Sequence, residues 1–357
     1  MLFTEVQEKQ SDFVYPDGCR HDDYLNPIRA KIAEASLFAM DEQALAMAAN
    51  VSLTKPSSIL ASLPFVKLPA EKTWLEYANV QARQAAADLG SPNIRPDNAK
   101  VHVQRSGFLM YMDSDEESGR RDIVIEYVHK DKPFSGTFPD GRDTMTDIAP
   151  VIGRFSLHDT DEFRPAFFPS LPRDPNLPTA GKIRKHHAML EKDPAEAAAF
   201  IELRNRFTWE PHPDLTRLAR TMSAIVGDAS VRATEAGQAG DLERAFLNQV
   251  LPALILLNCR NAVARETVPA PEKLNKKRAQ KGRPPIREFV TVKVHLSGSA
   301  RREMASRGLT FGGARDGAFV IGHFKVRRSG IYWWGFHMRG GGPSSTAGPR
   351  RVKVMTF

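Results

Sequence analysis

The sequence predicts an α+β protein, with a mixed helical and antiparallel-β N-terminal body and a small basic antiparallel-β C-terminal domain. Three observations predict this. In the first 265 residues, stretches with apolar residues at helical spacing are interleaved with stretches of period-two alternation. The end of the chain differs in charge: residues 269–357 hold 19 of the 50 Lys+Arg but only 4 of the 42 Asp+Glu. Finally, Phe319–Arg339 (FVIGHFKVRRSGIYWWGFHMR) reads as a β ribbon with one apolar and one cationic side.

In chain order, Met1–His21 is expected to be irregular. Helices are predicted over 25–50, where Asn26-Pro27 marks a start and Asp41 caps a second segment, and over 70–89, 190–226 and 241–257. The 70–89 prediction rests on a stripe of Trp74, Tyr77, Val80 and Ala87. Between them, residues 100–157 form strands: Lys100–Met112, Asp122–His129 and Ala149–Leu157, the first two joined by an acidic loop that suits a solvated hairpin tip. Gly227–Gly240 is small and polar and is expected to connect flexibly. Pro252 is expected to kink the most hydrophobic helix. The predicted boundaries are a body over 1–265, a basic Pro-rich arm over 266–288 and a β domain over 289–357. Within the last, Phe289–Leu296 and Arg350–Phe357 alternate as strands.

With 357 residues, 41% hydrophobic and 26% charged, the chain is long enough for two domains and has a globular composition. No apolar run approaches the length of a membrane span, and no secretion signal is visible, so a cytoplasmic protein with no membrane partner is expected. Two cysteines, Cys19 and Cys259, give neither a disulfide framework nor zinc spacing. No phosphate-binding glycine loop, metalloprotease motif or nucleophile elbow occurs, so no cofactor and no metal are expected. His186 and His187, being adjacent, point to different faces and are poor co-ligands; Asp159 or Asp161 could orient His158, but nothing nearby supplies a nucleophile.

The candidate site is a polyanion-binding surface made of two parts. The arm carries Lys276, Lys277, Arg278, Lys281 and Arg283 between prolines, as either a linker or a backbone-binding element. The ribbon is expected to turn through a three-residue loop, Arg328-Ser329-Gly330, so that Arg327 faces Ile331, Lys325 faces Trp333, His323 faces Gly335 and Ile321 faces His337. In that register Phe324, Val326, Tyr332, Trp334, Phe336 and Met338 form a core side. His323, Lys325, Arg327, Trp333, His337 and Arg339 form a wet side, Arg328 lies in the loop, and Trp333 offers a stacking platform for bases. Binding without catalysis is the preferred reading. The alternative is a ribonuclease, with His323 and His337 as general base and acid and Arg327 or Arg339 stabilising the phosphorane.

The arm LNKKRAQKGRPP (Leu274–Pro285), the ribbon GHFKVRRSGIYWW (Gly322–Trp334) and LPFVKLPAEKTWLEY (Leu63–Tyr77) resemble a family of phage and mobile-element proteins. That family is grouped with the type V-A anti-CRISPR proteins (AcrVA). Ile321 stands where the family pattern carries an arginine before Gly322. The resemblance implies a phage or prophage protein acting in the host cytoplasm. Its partners would be RNA or the ribosome and a host defence protein. It would recognise the nascent N-terminal peptide of a type V effector nuclease and lower the effector's messenger RNA. A phage nucleic-acid-binding regulator without a defence role is the other binding reading.

Overall fold

The computed structural model describes residues 1–8, 18, 20–52, 54–79, 103–115, 120–131, 146–158, 192–215, 223–224, 227–294, 318–320, 323–334 and 337–339. The chain is α+β. Its strands are β1 (Ser36–Met40), β2 (Lys72–Ala78), β3 (Val103–Asp115), β4 (Arg120–Asp131), β5 (Thr146–Ser156), β6 (Phe207–Pro211), β7 (Val263–Val268), β8 (Phe289–Val294), β9 (Ala318–Val320), β10 (His323–Arg327), β11 (Gly330–Trp334) and β12 (His337–Arg339). The first eight make one mixed sheet in the order β6-β5-β4-β3-β2-β1-β8-β7. β1 runs parallel to both β2 and β8, and the other neighbours are antiparallel. Parallel neighbours need a crossover, which the helices Glu42–Val51 and Pro56–Ser62 supply between β1 and β2.

Both faces of the sheet are covered, and alternation along each strand divides two cores. On one face Leu75, Tyr77, Phe108, Met110, Ile123 and Ile125 pack against Leu242, Phe246, Val250 and Leu254. On the other, Trp74, Leu109 and Val128 pack under Leu2, Phe3, Val6, Ile28 and Ile32 from the helices Leu2–Glu8 and His21–Glu34. Gly107 lies directly beneath the Trp74 indole, where an added Cβ would stand 2.2 Å from a ring carbon.

Several predicted elements change. The region 25–50 is a helix that already begins at His21, with Pro27 inside it, followed by β1 and a second helix. Asp41 caps that second helix as expected, its Oδ1 accepting from Ala44 N–H at 2.7 Å. The first half of the predicted 70–89 helix is strand β2, and the remainder lies outside the described residues. A strand buried on both faces has no polar side. Trp74 and Tyr77, which look like one helical stripe, in fact serve opposite cores. Of the two helices predicted within 190–226, Pro194–Phe207 corresponds to Pro194–Asn205, which leads into β6, and most of Asp214–Val226 lies outside the described residues. Gly227–Gly240 is helical: Asp228–Ala245 runs through a π turn at Phe246–Val250 into Leu251–Asn258. The π turn accommodates Pro252, which cannot donate to the Asn248 carbonyl and would crowd it in a regular helix. The predicted strands within 100–157 correspond to β3, β4 and β5. The predicted boundary at 266–288 falls within one sheet, because β7 and β8 on either side of it pair with each other. The strand expected at Arg350–Phe357 lies outside the described residues.

Two buried carboxylates organise the helix-covered polar part of the sheet. Glu76 accepts from the Leu2 and Phe3 amides at 3.2 and 3.0 Å, from Trp74 Nε1 at 3.0 Å and from Arg105 Nη2 at 3.0 Å. It therefore caps the N-terminal helix from the sheet face that this helix covers. Glu126 accepts from Lys31 Nζ at 2.8 Å and from the Tyr111 hydroxyl at 3.2 Å, and lies 3.3 Å from His212 Nε2. Burial opposes its ionisation, but His212 and Lys31 outweigh this and hold its carboxyl below the usual glutamate range.

A depressed folded-state value means that the Glu126 carboxylate stabilises the protein above its ordinary value of 4.5, and that this contribution is lost as pH falls through the folded value. Glu126→Gln is expected to be destabilised by about 2–4 kcal/mol at neutral pH. The gap between variant and wild type should close as pH drops through the acid range. Urea midpoints measured from neutral to acid pH check this; a gap independent of pH would contradict it.

Candidate nucleic-acid interface

The arm is an ordered helix and turn, neither an extended linker nor irregular. Glu272–Ala279 is helical and buries none of its residues. It ends in a Schellman turn: Arg283 N–H reaches the Arg278 carbonyl at 3.0 Å and Gly282 N–H the Ala279 carbonyl at 3.0 Å. Gly282 has φ +63°, the left-handed conformation this turn requires. The returning chain is fixed by side chains. Asn275 brackets Ile286, donating to its carbonyl and accepting from its amide, both at 2.7 Å. Arg278 donates twice to the Pro284 carbonyl, at 2.9 and 2.8 Å. Arg287 then anchors the base of the arm on the Ile32 and Ala35 carbonyls, at 2.9 and 2.7 Å, where the helix His21–Glu34 ends.

This construction sorts the arm's predicted site residues. Arg278 is a structural brace, which removes it from the phosphate-facing set. Lys276, Lys277, Lys281 and Arg283 are exposed and have no ion-pair partner among the described residues. Lys273 shares both properties and was missed at the sequence level, where it lies just outside the densest basic run. By contrast, Lys72 is paired with Glu34 and Lys293 with Glu266.

The ribbon adopts a different register from the expected one. Arg327 pairs with Gly330, Val326 with Ile331, Lys325 with Tyr332, Phe324 with Trp333 and His323 with Trp334, so the loop is Arg328-Ser329 alone. One residue of slip exchanges the faces of the second strand. Phe324, Ile331 and Trp333 are buried, with Trp333 5% exposed, so its ring is not a stacking platform. The anchor is tertiary. Asn261 holds both Trp333 backbone groups, at 2.7 and 3.0 Å, and the Ile331 carbonyl accepts from Arg260 N–H at 3.2 Å. Cys259 bridges to Ile331, and burial pushes its thiol up to about 12.

Tyr332 takes the outer position instead. Its hydroxyl lies 2.9 Å from Ser329 Oγ, and the Arg260 guanidinium sits 5.6 Å from its ring centroid. Arg327 and Arg328 are exposed and Lys325 is half-buried. The two histidines are not cross-strand neighbours: His323 is opposite Trp334, and His337 is opposite Val320 in the separate β9–β12 ladder, where Arg339 is opposite Ala318. Both ladders follow the same offset, one residue from the expected register, so the expected pairing of His323 with Gly335 and of His337 with Ile321 is not what the ladders have.

Arm and ribbon are not one continuous site. β7 begins two residues after Asn261, beside the ribbon, and ends four residues before the arm helix. The two cationic groups are thus separated by the length of that strand, roughly 20 Å. Comparison with family models, with curated proteins and with solved structures finds no match.

The arm's order depends on the left-handed turn and on the Asn275 bracket. Gly282→Ala and Asn275→Ala are each expected to speed tryptic cleavage within 273–283 severalfold while leaving the global unfolding free energy, from urea titration, within about 1 kcal/mol of wild type. Cleavage at the wild-type rate would mean that the arm's order has another source.

Proposed function

We propose that this is a nucleic-acid-binding protein of a phage or prophage, acting in the host cytoplasm, which engages RNA or the translating ribosome through the arm. The observation that carries the reading is a rigid protrusion bearing five exposed cations without ion-pair partners among the described residues. Such an array attracts polyanions, because its charge is neither neutralised nor buried. Taken with the AcrVA-like arm and ribbon motifs, it supports interference with expression of a host defence nuclease of the type V class. The helix-covered body would contact the protein partner. Among the described residues no helix is long and apolar enough to cross a membrane. The ribbon histidines have no role in this reading, which is one of binding. The arm alone also supports the broader reading of a phage nucleic-acid-binding regulator.

The test is co-expression with a type V effector, following effector transcript and protein. The wild type is expected to lower both severalfold. A variant with Lys276→Gln, Lys277→Gln, Lys281→Gln and Arg283→Gln is expected to restore them at equal protein level. Effector levels untouched by the wild type would reject this target; loss of both effects with retained salt-dependent RNA binding would favour the regulator.

A further inference from the structure

The arm's geometry also bears on the form of nucleic acid it takes, an inference that rests on the nucleic-acid reading above. We propose that it grips the phosphate backbone of a double helix, without reading base sequence and without stacking on unpaired bases.

Three observations lead there. First, no Phe, Tyr or Trp side chain among those described is exposed, and the exposed His158 does not belong to the arm. The arm itself, Glu272–Arg283, contains no aromatic residue. Trp333 is buried, and one face of the half-buried Tyr332 is taken by Arg260. Recognition of single strands depends on rings on which splayed bases stack, and the arm offers none.

Second, the exposed arm cations follow a regular path. Lys273 and Lys277 are one helical turn apart, a rise of about 6 Å, on the scale of the step between successive phosphates of a strand. Lys276 lies beside them, and Lys281 and Arg283 continue past the turn. Third, the array is held before any ligand arrives, by the Schellman turn, the Asn275 bracket, the Arg278 brace and the Arg287 anchor. A fixed charge array loses little freedom on meeting an equally stiff duplex, whereas a flexible single strand would have to be ordered along it. Of the two amides among the cations, Asn275 is engaged by Ile286, which leaves Gln280 as the one bidentate donor–acceptor set for a base edge.

The experiment is fluorescence anisotropy with the full chain and four probes of equal length: duplex RNA, duplex DNA, and two single-stranded RNAs of different sequence. Either duplex is expected to bind at least about tenfold tighter than the single strands at the same salt, with little dependence on base sequence. The slope of log K against log salt should be about −4, and Lys276→Gln with Lys277→Gln should reduce its magnitude by about 2. Which duplex binds tighter identifies the source of the phosphates. Single strands bound as tightly as duplexes, or strong sequence discrimination, would overturn the duplex proposal while leaving the nucleic-acid reading intact. No binding to any probe at low salt would overturn both. The side chains of Lys276 and Lys277 make no hydrogen bond or ion pair among the described residues, so a folding failure, checked by circular dichroism, is not expected to confuse the result.

Discussion

Strand β8 is inserted between β1 and β7, and this insertion holds the arm in place. Phe38, Ala39 and Met40 pair with Val290, Thr291 and Val292 on one side, and all six residues of β7 pair on the other. Val292 is completely buried. The arm is consequently the connection between two adjacent strands of a large sheet, with both its ends hydrogen-bonded into that sheet. Arg287, placed just before β8, adds a third attachment by satisfying carbonyls at the end of a neighbouring helix. A cationic protrusion mounted this way presents its charge in one arrangement, which is what backbone recognition of a regular polyanion uses.

The sheet that carries the arm has unlike faces. One is an apolar interface with the long π-interrupted helix and the helices of the β1–β2 crossover. The other holds a smaller apolar core and two buried carboxylates, Glu76 and Glu126, each surrounded by donors from distant parts of the chain. Buried carboxylates contribute little net stability over an apolar replacement, but removing one partner leaves the other stranded. Here they tie the N-terminal helix and the helix His21–Glu34 to the sheet, and the second of those helices carries the carbonyls that Arg287 grips. The polar face therefore bears on the arm's position as well as on stability.

Much of the sheet was legible in the sequence. β3 and β4 carry long apolar runs, Phe108–Met112 and Ile123–Ile125, on either side of an acidic turn, and β8 announces itself through Val290, Val292 and Val294. β1 and β2 were not legible: short strands covered on both faces lose their polar side, and Trp74 with Tyr77 then resembles a helical stripe. The ribbon's register was ambiguous for a related reason. On its second strand Ile331 and Trp333 alternate with Tyr332 and Trp334, so both faces carry large rings. The choice came from Asn261 and Arg260, some seventy residues away in sequence. The arm's charge was legible, but its order was not. The turn at Gly282 and the brackets by Asn275 and Arg278 are local contacts hidden in a composition that reads as solvated linker.

The arm's placement makes a claim about cooperativity: the C-terminal quarter, at least through Val294, belongs to the same folding unit as the N-terminal strands. Native-state amide hydrogen exchange across β1, β2 and β8 measures this most directly. The account predicts that protected amides of Phe289–Val294 exchange with the same free energy as those of Ser36–Met40 and Lys72–Ala78, through one global opening. Exchange of Phe289–Val294 at a much lower free energy, while β1 and β2 stay closed, would mean that the arm hangs from a separate unit and would contradict it.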